Sequence, residues 1–97
     1  MRPAADGDHR RAMMIHALRR LYRRHGIALS TPEYRTLCLR VAGLRPVGVG
    51  TTGEPIYCLT VRGRATFAVW SPADHAIVTF LPRLRPDHVR RLEAMAA

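Results

Sequence analysis

The chain has 97 residues, 47% hydrophobic and only 6% aromatic, which allows one domain with an aliphatic core and excludes two. No apolar run approaches the roughly 18 residues that cross a bilayer, and Met1 to Asp8 hold no apolar signal stretch. A cytoplasmic protein without a membrane partner is therefore expected. The formal net charge is +9 and the pI about 11.4, carried entirely by arginine, for the chain lacks Lys, Asn and Gln. That composition reads as codon usage of a GC-rich genome, so part of the charge is drift. The remainder favours a polyanion partner, RNA or other nucleic acid, over a neutral metabolite.

Residues 1–8 are polar and contain Gly and Pro, so a flexible start to a single 1–97 domain is expected. A first helix should begin near Asp8 as N-cap. Its apolar arc is Met14, Ala17, Leu18, Leu21 and His25, and Gly26 ends it in a left-handed cap. Ser30-Thr-Pro-Glu33 opens a second helix, by a capping box or by Thr31 with Pro32 at the first position. Tyr34, Leu37, Cys38 and Val41 then recur at helical spacing up to Gly43. From Pro46 the pattern turns to strands: a weak one at Val47–Val49, then Ile56–Val61, Arg64–Trp70 and Ala76–Leu81. Arg62-Gly63 is a short hairpin connection, and Ser71–His75 is a turn. Pro86 or Asp87 opens a last helix with Val89, Leu92 and Met95 on one side. The fold class is α+β: N-terminal helices packed on a curved antiparallel four-stranded meander sheet, with a short C-terminal helix. Cys38 and Cys58 fit core positions of a reduced protein, and neither has the paired spacing of a zinc site.

The most informative feature is a stripe. His16, Arg20 and Arg24 recur every fourth residue and stack on one flank of the first helix. Like charges stacked in this way are costly unless an anion lies across them. Arg19 and Arg23 point away from the core, as a solvated or polyanion-facing surface. Arg62 and Arg64 flank the hairpin turn as a basic finger suited to backbone contact. Two bland readings stand beside these: His16 bonded to a sheet carbonyl against the core, and Arg20 and Arg24 covering apolar surface with their stems. Phe67 and Trp70 read as core rather than stacking residues, and His9, His25 and His88 as bystanders. A helix-turn-helix is disfavoured, because residues 27–32 space the first two helices too widely.

His16-Ala17, Arg20, Arg24 and Gly26-Ile27, followed by a capped helix and hairpins ending in Ile77–Pro82, resemble a group of small bacterial and prophage proteins. These are similar to the RelE/ParE toxins and to the wider barnase–EndoU–colicin–RelE ribonuclease fold. The likeness spans roughly residues 9 to 82, on a His-x3-Arg-x3-Arg helix and a strand ending in Thr-x-Leu-Pro. It implies a toxin-type protein that cleaves or binds RNA with no metal or other cofactor, and an antitoxin or host protein complex as a further partner. It marks His16, Arg20, Arg24 and Thr79 as catalytic; it says nothing of Arg19 and Arg23, which with Arg62 and Arg64 are candidate nucleic-acid contacts on charge and position alone. His16 would serve as base and the arginines as phosphate clamp. Thr79 would bond a phosphate or orient His16, and His75 is a possible second proton-transfer group. Unlike RelE-type toxins, this sheet offers Tyr57, Arg62, Arg64 and Thr66 but no histidine within a strand. The alternative is a non-catalytic, phage- or mobile-element-encoded regulator or inhibitor that binds a host protein–nucleic-acid complex.

Overall fold

The computed structural model describes residues 3–96. Helices α1 (Pro3–His25) and α2 (Thr31–Val41) precede strands β1 (Gly48–Val49), β2 (Pro55–Val61), β3 (Arg64–Ser71) and β4 (Ala76–Leu81), and helix α3 (Pro86–Ala96) follows. The strands pair antiparallel in the order β1-β2-β3-β4, the meander that short connections dictate. No helix among the described residues is long and apolar enough to cross a membrane.

α1 starts at Pro3 rather than near Asp8. Proline is tolerated in a first helical turn, and Ala4 and Ala5 favour helix strongly enough to carry it through Gly7. Residues 1 and 2 of the segment expected to be flexible lie outside the described residues. Ala17 and Leu21 are fully buried, with Met14 and Leu18 packed beside them. Gly26 ends the helix at φ +67°, its N–H donating to the Tyr22 carbonyl at 2.9 Å. α2 opens with a complete capping box: the Ser30 hydroxyl accepts from Glu33 N–H, and the Glu33 carboxylate accepts from Ser30 N–H at 2.8 Å. Tyr34, Leu37 and Val41 are its buried face.

The Arg62–Gly63 turn has both residues at positive φ, +50° and +77°, the twist that a two-residue hairpin requires. Alternation along β2 turns Leu59 and Val61 toward α1 and α2, where they meet Ala68, Ile77 and Phe80. The register between β3 and β4 shifts where Val69 faces Thr79 and Trp70 faces Ile77, which leaves Val78 as a bulge residue. The bulge allows Ile77 and Phe80, of opposite parity, both to be fully buried.

The second face of the sheet is covered only at its β1 end, by α3. Gly48 makes this possible: a Cβ there would lie 2.9 Å from Leu84 Cδ1 and 3.0 Å from His88 Cβ. Val49, Ile56, Val69 and His88 are buried at this end of the molecule. Two expectations are corrected as a result. Cys58 is exposed, because it shares the uncovered part of this face with its cross-strand partner Phe67, itself only half-buried. α3 buries His88 rather than a Val89–Leu92–Met95 face, and Met95 is 69% exposed.

Candidate nucleic-acid interface

α1 lies against β4, the edge strand of the sheet, and the helix periodicity sets what faces that edge. Arg24 donates from Nη1 to the Phe80 carbonyl at 2.7 Å, and His25 donates from Nε2 to the Leu81 carbonyl at 3.0 Å. From α2, the Tyr34 hydroxyl donates to the Ile77 carbonyl at 2.7 Å. Three side chains on two helices thus hold the backbone of an edge strand. One arm of Arg24 is committed to this contact. Burial and the neighbouring Arg20 guanidinium both push its pKa down, so the two cations are crowded together.

Arg20 is half-buried beside it, while Arg19 and Arg23 are exposed one step further round the helix. None of the arginines at 10, 11, 19, 20, 23 and 24 makes an ion pair among the described residues. Glu33 holds Arg62, Asp87 holds both Arg85 and Arg91, and Asp8, at the start of α1, makes no ion pair with these arginines among the described residues. From Arg19 to Arg24, α1 therefore presents a contiguous cationic flank that no acid ion-pairs among the described residues.

His16 and Thr79 line one shallow depression of about 420 Å³ between α1 and β4, together with His9, Met13 and Val78. His16 is exposed and makes no hydrogen bond among the described residues, so it is not the carbonyl-bonded core histidine of the bland reading. His9 stands two helical turns before it, about 10 Å along the axis by helix rise. Its Nε2 lies 3.5 Å from Asp74 Oδ1, and the Ser71 hydroxyl donates to the other oxygen of that carboxylate at 2.7 Å. This residue escaped the sequence reading because a helix starting near Asp8 leaves His9 in a frayed first turn. The i, i+7 spacing with His16 was the available signal.

Other candidates lie apart from this depression. Arg62 is ion-paired to Glu33 at 2.9 Å. The Glu33 carboxyl is held at a pKa of about 2, first by the Ser30 N–H and then by Arg62. Arg64 donates to the His25 carbonyl at the C-terminus of α1, where a cation suits the helix dipole. Thr66 is fully buried and donates to the Leu59 carbonyl, which removes it from any surface role. His75 sits at φ +51° in the β3–β4 turn, edge-on to Trp70 with ring centres 6.5 Å apart. It lines a separate cleft between α1 and α2 rather than the His16 depression.

Comparison of the chain with family models, with curated proteins and with solved structures gave no match.

Proposed function

We propose that this protein binds RNA through the flank of α1 that overlies β4, as a toxin-type protein of RelE/ParE-like character. The observation that carries the reading is the run Arg19, Arg20, Arg23 beside Arg24, unneutralised by any acid among the described residues and fixed to a rigid edge. Such a flank gains most from a polyanion, because bound phosphates relieve the crowding of the cations and release counterions. Phosphate contact of this kind positions a nucleic acid without reading its sequence.

Metal-independent cleavage of the bound RNA is a second reading, favoured by the shared depression of His9, His16 and Thr79. In that chemistry the neutral imidazole of His16 takes the 2′-hydroxyl proton as the 2′-oxygen attacks phosphorus. The phosphorus–5′-oxygen bond breaks, and a protonated His9, steadied by Asp74, delivers a proton to the leaving oxygen. Arg20 stabilises the charge on the non-bridging oxygens. The products are a 2′,3′-cyclic phosphate and a free 5′-hydroxyl.

Fluorescence anisotropy with single-stranded RNA in EDTA tests the first reading, and gel analysis of the same mixtures tests the second. Binding that weakens in Arg20→Ala and Arg23→Ala while persisting in His16→Ala is expected from an RNA binder. Cleavage that vanishes in both His16→Ala and His9→Ala would add the catalytic role. Intact RNA under conditions of saturated binding would remove it and leave a binding or inhibitory protein.

A further inference from the structure

On the opposite face of the sheet from α1, a cleft of about 380 Å³ opens between the β1–β2 turn, the end of β4 and the start of α3. Its floor is apolar, made by Val69, Leu81 and Pro82. His88 forms one wall and is 95% buried, its relative exposure being 5%. The Arg85 backbone N–H donates to His88 Nδ1 at 3.1 Å, so that nitrogen carries no proton and the neutral ring holds its hydrogen on Nε2. His88 makes no other hydrogen bond among the described residues, and no buried side-chain nitrogen or oxygen there lacks a partner. Nε2 is consequently the polar atom through which this buried ring meets solvent, at the cleft. Burial lowers the pKa of the ring and so favours its neutral form.

The charges around the cleft are unequal in freedom. Arg85 is locked onto Asp87 by two hydrogen bonds, at 3.0 and 3.2 Å. Glu54, the one acid in the lining, accepts from the Thr52 hydroxyl. Arg83 is exposed, lines the cleft and has no ion-pair or hydrogen-bond partner among the described residues. A solvent-facing N–H donor on a buried ring, a free guanidinium and an apolar floor together match an oxyanion attached to a small hydrophobic body.

We infer that this cleft binds a small organic anion, a phosphate monoester or a carboxylate, with its oxyanion on His88 Nε2–H and Arg83 and its apolar part on Val69, Leu81 and Pro82. The site is separate from the α1 flank and does not depend on the RNA-binding reading. Long-range ¹⁵N NMR of the full chain resolves the His88 ring nitrogens, and the probes are phenyl phosphate, benzoate and inorganic phosphate. A saturable shift of His88 Nε2 is expected with phenyl phosphate or benzoate at concentrations well below those needed with inorganic phosphate. Whichever of the two organic probes binds tighter identifies the oxyanion. Arg83→Gln, an exposed change that leaves folding intact, should weaken that binding about tenfold. Arg20→Ala/Arg23→Ala should leave it unchanged. Shifts confined to α1, or no saturable shift at His88 with any probe, would overturn the proposal. Equal affinity for phenyl phosphate and inorganic phosphate would overturn its organic half.

Discussion

Arginines only four residues apart have different duties here, and substitution separates them. Arg24→Ala removes a charge-assisted bond to the Phe80 carbonyl and uncovers part of the β4 edge. It should lower stability by about 1.5–3 kcal/mol, read as a shift in urea midpoint at constant m-value. Arg20→Ala removes no such bond, and its stability should stay within about 0.5 kcal/mol of wild type while RNA affinity falls. His88 supplies a pH dependence. Burial, with help from Arg85 and Arg91 against the opposing pull of Asp87, lowers its folded pKa below the ordinary 6.5. On acidification the unfolded chain therefore takes up the proton first, so stability falls below about pH 6.5 and is regained above it. Urea midpoints at pH 7.5 and pH 5.5 should show that fall in the wild type and a reduced one in His88→Gln.

Among the elements, α2 was the most legible in the sequence, because its capping signal is local. Ser30 and Glu33 form the expected box, and Ser30→Ala should cost about 1 kcal/mol in thermal or urea unfolding. The Arg62–Gly63 turn was legible for the same reason. Features set by packing at a distance were not. The length of α1 depends on how far alanines propagate a helix past Gly7, and this hid the pairing of His9 with Asp74 across the β3–β4 turn. The exposure of Cys58 follows from α3 reaching only the β1 end of the second sheet face. That reach is set by contact between Gly48 and the Leu84–His88 segment, separated from it by many residues. Gly48→Ala tests the contact. A methyl there would turn Leu84 Cδ1 aside and press on His88 Cβ at 3.0 Å, so that α3 must give by a few tenths of an ångström, with an expected loss of about 1–3 kcal/mol and altered ring signals of His88.

As a whole molecule, the protein divides its sheet between two chemistries. The face under α1 and α2 holds the main core and carries an unneutralised cationic flank along the β4 edge. The other face holds a smaller buried cluster and the cleft at His88. The His16–Arg20–Arg24 stripe was legible from its spacing, and of its three members His16 shares a depression with Thr79. What the stripe alone could not convey is that Arg24 also serves the fold, which leaves Arg19, Arg20 and Arg23 as the freer cations. The central claim is therefore electrostatic and belongs to these three. The most direct test is the affinity of single-stranded RNA as a function of salt, measured in EDTA for the wild type and for Arg19→Ala/Arg20→Ala/Arg23→Ala. The account predicts a steep linear fall of log K with log salt for the wild type. It also predicts a slope shallower by about 2 in the triple variant, at roughly 0.7 per lost phosphate contact. Identical slopes and affinities for the two proteins, or no RNA binding by the folded wild type at low salt, would contradict it.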